Sequence, residues 1–144
     1  MSRFLLAGLA FLAPVLAAQT PGHDPGHLGT VHFETSCAPA TRPTFEKGVA
    51  LLHSFGFTAA VQAFNDVLAA DSTCVAAYWG LALSAWGNPF AAGIKPNAQL
   101  ERGLRAVERG QALRGGSERE RAFLAAVAKL YDNYPSADQR ARVL

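Results

Sequence analysis

From Arg42 onward the apolar residues return at the spacing of an α-helix, in short runs separated by glycine or proline. Phe45, Val49 and Leu52 stand at i, i+4 and i+7; after a break at Gly56, Val61, Phe64 and Leu68 stand at i, i+3 and i+7. Such offsets fall on one face of a helix of 3.6 residues per turn, so the two runs predict two amphipathic helices in a hairpin. A third run, from Thr73 to Ala85, carries Tyr78, Trp79, Leu81 and Leu83, with Trp86 just beyond, and is apolar almost all round. That is the pattern of a helix buried between neighbours. Gly87-Asn88-Pro89 ends it. A chain patterned this way buries its stripes helix against helix, and 144 residues suffice for one core but not comfortably for two.

The second half repeats the theme. A loop from Asn88 to Pro96 leads to Asn97, expected as the N-cap of a helix with Leu100, Leu104 and Val107 on one side and Glu101, Arg102, Arg105, Glu108 and Arg109 on the other. Gly115-Gly116 stops it. Ser117 with Glu120 forms a capping box ahead of Phe123, Val127, Leu130 and Tyr134, and Pro135 closes that helix. Ser136 with Gln139 is a second capping box. It opens a helix of only a few residues before Leu144, so the chain is expected to stop inside a structural element and to be the amino-terminal part of something longer.

The amino end sets the compartment. Residues 1–19 carry Arg3, an apolar run from Phe4 to Leu16 and the small residues Ala17 and Ala18, which is the layout of a cleaved secretory leader. The run is shorter than the roughly 20 apolar residues of a membrane span, and a Pro- and Gly-containing stretch follows it. A soluble periplasmic or secreted protein with no stable membrane insertion is expected. Residues 20–40 have turn signals, no helical period and one β-like patch at Thr30-Val31-His32-Phe33, and read as an extended lead-in. In an oxidising compartment Cys37 and Cys74 are a possible disulfide; two small buried thiols, or Cys37 as a metal ligand beside nearby histidines, are the alternatives.

Composition narrows the function classes. Half of the residues are apolar and 17% are charged, which excludes disorder for most of the chain. The formal charge of +2, or +1 once Arg3 leaves with the leader, lacks the concentrated basic charge that nucleic-acid phosphates demand. No Ser-His-Asp spacing, glycine-rich phosphate loop, Cys-x-x-Cys or His-Glu-x-x-His occurs, so no catalytic residue and no cofactor is expected. His23, His27 and His32, with Asp24 between, are candidate nitrogen ligands for copper or zinc, but a Gly/Pro lead-in supplies no rigid frame to orient the rings.

Gly48 and Ala82 lie 34 residues apart, as do Thr44 and Tyr78, and Ala60 and Phe64 fall 12 and 16 places after Gly48. Thirty-four is the tetratricopeptide period. One full repeat, 41 to 74, fits, and so does the first helix of a second. Thr44 is not the usual aromatic and the usual proline after Asp71 is missing. Leu28-Gly29-Thr30-Val31-His32-Phe33-Glu34-Thr35-Ser36-Cys37, Gly48-Val49-Ala50-Leu51-Leu52-His53-Ser54-Phe55 and Ala77-Tyr78-Trp79-Gly80-Leu81-Ala82-Leu83-Ser84-Ala85-Trp86-Gly87-Asn88-Pro89-Phe90 resemble the start of a group of exported bacterial tetratricopeptide-repeat proteins.

The resemblance implies an all-α helical-hairpin array over 41–144, incomplete at its carboxyl end, whose first helices line a groove. Carried over, the groove positions are Arg42, Phe45, Val49, Leu52 and His53, then Ala76, Trp79, Leu83, Trp86 and Gly87. Arg42, His53, Trp79 and Trp86 are the candidate binding residues, since aromatic and Arg side chains anchor interfaces. Packing of the lead-in or of a later helix over the two tryptophans is the competing expectation. Side-by-side first helices also bring their starts together, and this places Cys37 within reach of Cys74. The reading is a binding or scaffold protein with a protein or peptide partner; its rivals are a metal-binding protein using the amino-terminal histidines and the non-catalytic start of a longer enzyme.

Overall fold

The computed structural model describes residues 28–90 and 95–133. Five α-helices run α1 (Arg42–His53), α2 (Phe57–Ala70), α3 (Val75–Trp86), α4 (Asn97–Ala112) and α5 (Glu118–Ala128), with 3-10 turns at Pro39–Thr41 and Lys129–Tyr131. Neighbours in sequence are neighbours in space, and α3 additionally packs on α1 and α5. The architecture is an all-α array of helical hairpins, and the all-round apolar α3 is its central element, as its composition requires. The expected leader at 1–19, the second capping box expected at Ser136 and Gln139, and the expected incomplete last helix lie outside the described residues.

Close approach of helices explains where the chain spends its glycines. Phe64 of α2 is fully buried, and its ring lies where a Cβ on Gly48 would come within 2.9 Å and one on Gly80 within 2.4 Å. Two glycines from α1 and α3 therefore clasp one ring. The 34-residue spacing had paired Gly48 with Ala82 instead. Ala82 is also fully buried, but its carbonyl accepts the Tyr131 hydroxyl at 2.6 Å. A ring inserted from a third helix selects glycine by contact, which repeat arithmetic does not see.

Helix ends differ from expectation by a residue or two. The α1–α2 turn is made by Phe55, at φ 61°, rather than by Gly56, at φ −79°; the N–H groups of Ser54, Phe55 and Gly56 close on carbonyls from Ala50 to Leu52. Pro96, not Asn97, holds the cap position of α4 without a side-chain cap bond, and Asn97 is the first helical residue. Ser117 and Glu120 do form the capping box of α5, with both reciprocal bonds present. That helix tightens into a 3-10 turn at Lys129, before Pro135, so Tyr131 takes the buried place in the apolar series and Leu130 is half-buried.

Candidate functional site

The lead-in crosses the face shared by α1, α3 and α5. From Val31 to Cys37 burial alternates: Val31, Phe33 and Thr35 are partly buried, His32, Glu34 and Ser36 are exposed, and Cys37 is buried. A period of two is the mark of an extended chain with one side on a surface. The β-like patch is this segment. It forms no strand and lies directly on helices.

Phe33 is its anchor. The ring stacks on Trp79 of α3 with centroids 5.5 Å apart and an interplanar angle of 23°, and meets Phe45 of α1 at 5.4 Å and Phe123 of α5 at 5.9 Å. The Arg119 guanidinium stands 4.8 Å from the Phe33 ring centre and 5.2 Å from that of Phe123, within cation–π range. Phe33 N–H donates to Glu46 Oε1 at 3.3 Å. One aromatic side chain thus touches three helices that the local sequence leaves independent.

The end of the segment is clamped three ways. Cys37 and Cys74 are joined by a disulfide across a sequence separation of 37, with Cα atoms 4.7 Å apart. On one side of Cys37, Ser36 donates through its N–H to Glu120 Oε1 at 2.8 Å and through its hydroxyl to Oε2 at 2.5 Å. On the other, Ala38 N–H donates to Asp71 Oδ2 at 2.8 Å. Both carboxylates are held below their ordinary range. For Asp71 the bond from the Thr73 hydroxyl contributes most and that from Ala38 N–H next, against a smaller opposing effect of burial. For Glu120, 1% exposed, burial acts to raise the value and is outweighed by the bonds from Ser36 and Ser117. Glu120 caps α5 through Oε2 and holds the lead-in through both Oε1 and Oε2.

The four candidate groove residues do not line one open surface. Arg42 and His53 are exposed at opposite ends of α1, whereas Trp79 and Trp86 are 9% and 2% exposed. The lead-in and Phe123 cover Trp79. Trp86 lies against Tyr131, centroids 5.5 Å apart, with Lys95 Nζ 5.4 Å from the centre of its ring. The physical reason is that two tryptophans two turns apart on the central helix present more apolar area than an array this small leaves in water. Sequence reasoning missed Phe33, Glu120 and Asp71 as site residues. Only the alternation around Phe33 was a usable signal; the contacts of Glu120 with Ser36 span 84 positions and leave no local trace.

Of the candidate metal ligands, His23 and His27 lie outside the described residues and His32 is exposed. Among the described residues no group of three or more His, Cys, Asp or Glu side chains is placed to hold a metal ion, and no helix is long and apolar enough to cross a membrane. On the opposite side of α3, α2 and α4 both lean on it and leave an open trough of about 860 Å³ between them. No family model, curated protein or solved structure matches this chain.

Proposed function

We propose that the chain is an exported, tetratricopeptide-type binding or scaffold module that uses the α1/α3/α5 face to hold an extended segment of a protein or peptide partner. The observation that supports this is the seating of its own residues 28–37 on that face, with an aromatic side chain set among Phe45, Trp79 and Phe123. A surface that accepts one extended aromatic segment has the shape and chemistry to accept another. The lead-in then acts as a resident occupant, and a partner binds by taking the Phe33 socket. Export is supported by the leader-like residues 1–19 and is compatible with the disulfide. Mass spectrometry of the native protein tests it, with a mature amino terminus between Ala17 and Thr20 expected.

The binding reading is tested by supplying the occupant in trans. A synthetic peptide of residues 28–36 is titrated into the chain carrying Phe33→Ala, Cys37→Ser and Cys74→Ser, and Trp fluorescence is followed. Saturable binding is expected, lost when the peptide itself carries alanine in place of Phe33. A peptide that leaves the fluorescence of Trp79 unchanged overturns the reading.

A further inference from the structure

We infer that the trough between α2 and α4 is a second binding site, one that takes an extended acidic peptide segment with alternating apolar and carboxylate side chains. Its floor is apolar where α2 and α3 face it, through Phe57, Val61, Leu68 and Leu81. Its charged rim is of one sign. Arg102, Arg105 and Arg109 recur at i, i+3 and i+7 along α4 and all line the trough with Lys95, whereas Glu101 and Glu108 of the same helix do not. Arg105 makes an exposed pair with Glu101 at 3.7 Å. No carboxylate is among the described lining residues, so apart from the Arg105 pair the trough presents positive charge beside an apolar floor.

A second observation comes from the floor itself. Ser84 lines the trough, is 2% exposed, and its hydroxyl has no hydrogen-bond partner. Buried hydroxyls are normally paired, and an occupant with backbone N–H and C=O groups would supply the partner. Lys95, whose pKa is pushed down by burial, stands at one end, where an anionic side chain would oppose that shift.

The arrangement of floor and rim fits an extended occupant. The lining residues of α2 run from Phe57 to Ala69, about 18 Å at 1.5 Å per residue. About five extended residues fill that length, with side chains turned alternately to the apolar floor and to the arginines.

The probe is a fluorescein-labelled, end-blocked hexapeptide of alternating glutamate and leucine, titrated into the full chain and read by anisotropy. Saturable binding is expected that weakens with added salt, is unaffected by unlabelled 28–36 peptide, and falls at least about tenfold in Arg102→Glu/Arg109→Glu. Both arginines are exposed, so that variant keeps the fold, which circular dichroism checks. The same variant should gain affinity for the peptide with lysine in place of glutamate. Three outcomes overturn the proposal: no binding, equal binding by the charge-reversed variant, or binding of sodium dodecanoate but not of the peptide, which would make the trough a site for single-chain amphiphiles.

Discussion

The two sides of α3 solve the same problem in opposite ways. Toward α1 and α5, Trp79 is closed off by an extended segment from outside the helical run, anchored by Phe33 and locked by a disulfide and two carboxylates, and Trp86 is covered by Tyr131. Toward α2 and α4, the half-buried Tyr78 and Leu81 and the buried Ser84 and Ala85 line an open trough with a basic rim. The difference lies in what lies over each side. Trp79 and Trp86 present area that the lead-in and Tyr131 cover, whereas Tyr78, whose hydroxyl donates to the Ser72 carbonyl, has a polar end and can stay partly wet. A helical array therefore does not expose its binding faces by topology alone; the largest and least polar rings attract a cover.

The largest expected effect lies in the layer beneath both sides. Phe64→Ala removes the ring clasped by Gly48 and Gly80 and should cost about 4 kcal/mol of unfolding free energy, read from the denaturant midpoint. A loss below about 1 kcal/mol would mean that this ring does not join the two sides.

Removing the disulfide acts on the covered side alone. Cys37→Ser/Cys74→Ser should lower stability by about 3 kcal/mol, since the bond closes a separation of 37 residues in the unfolded chain. Trp79 should at the same time become accessible to acrylamide quenching. Destabilisation without a rise in quenching would show that Phe33 and the carboxylates keep the face closed unaided.

Glu120 gives the next effect, and it carries a pH signature. Its folded pKa lies below the ordinary value of 4.5, so the stability it contributes is present above that value and is lost as pH falls through the folded one. Asp71, lowered from 3.8, acts in the same direction. Glu120→Gln should cost about 2 kcal/mol at neutral pH, where a charged acceptor of the Ser36 and Ser117 bonds is lost, and should flatten the stability profile on the acid side of pH 4.5. An unchanged profile would move the acid sensitivity to Asp71.

Two small effects complete the comparison. Phe55 holds φ 61°, a conformation unfavourable for a residue with a Cβ, and is 54% exposed, so Phe55→Gly should stabilise by up to about 1 kcal/mol. Arg109→Ala, on the open rim, should shift stability by less than about 0.5 kcal/mol. A larger loss would show that the rim is structural, and that would break the contrast between a closed side and a free one.

Local chemistry along the chain is enough to reveal the helices. Apolar spacing places α1 to α5, Gly87 and Gly115-Gly116 mark stops, and Ser117 with Glu120 announces a start, because each signal acts within one or two turns. Cys37 and Cys74 became legible as a pair only through the resemblance to a tetratricopeptide array, which implies that the starts of successive first helices are neighbours. What local pattern leaves open is which partner each surface meets. That Phe33 fills the space between Phe45, Trp79 and Phe123, that one ring demands glycine at both 48 and 80, and that the cap residue Glu120 also holds Ser36 are outcomes of the packed chain. Each depends on residues between 12 and 90 positions apart, as Phe33 is from Phe45 and from Phe123, and at such separations contact is set by how whole helices stack and how much apolar area each leaves to be covered.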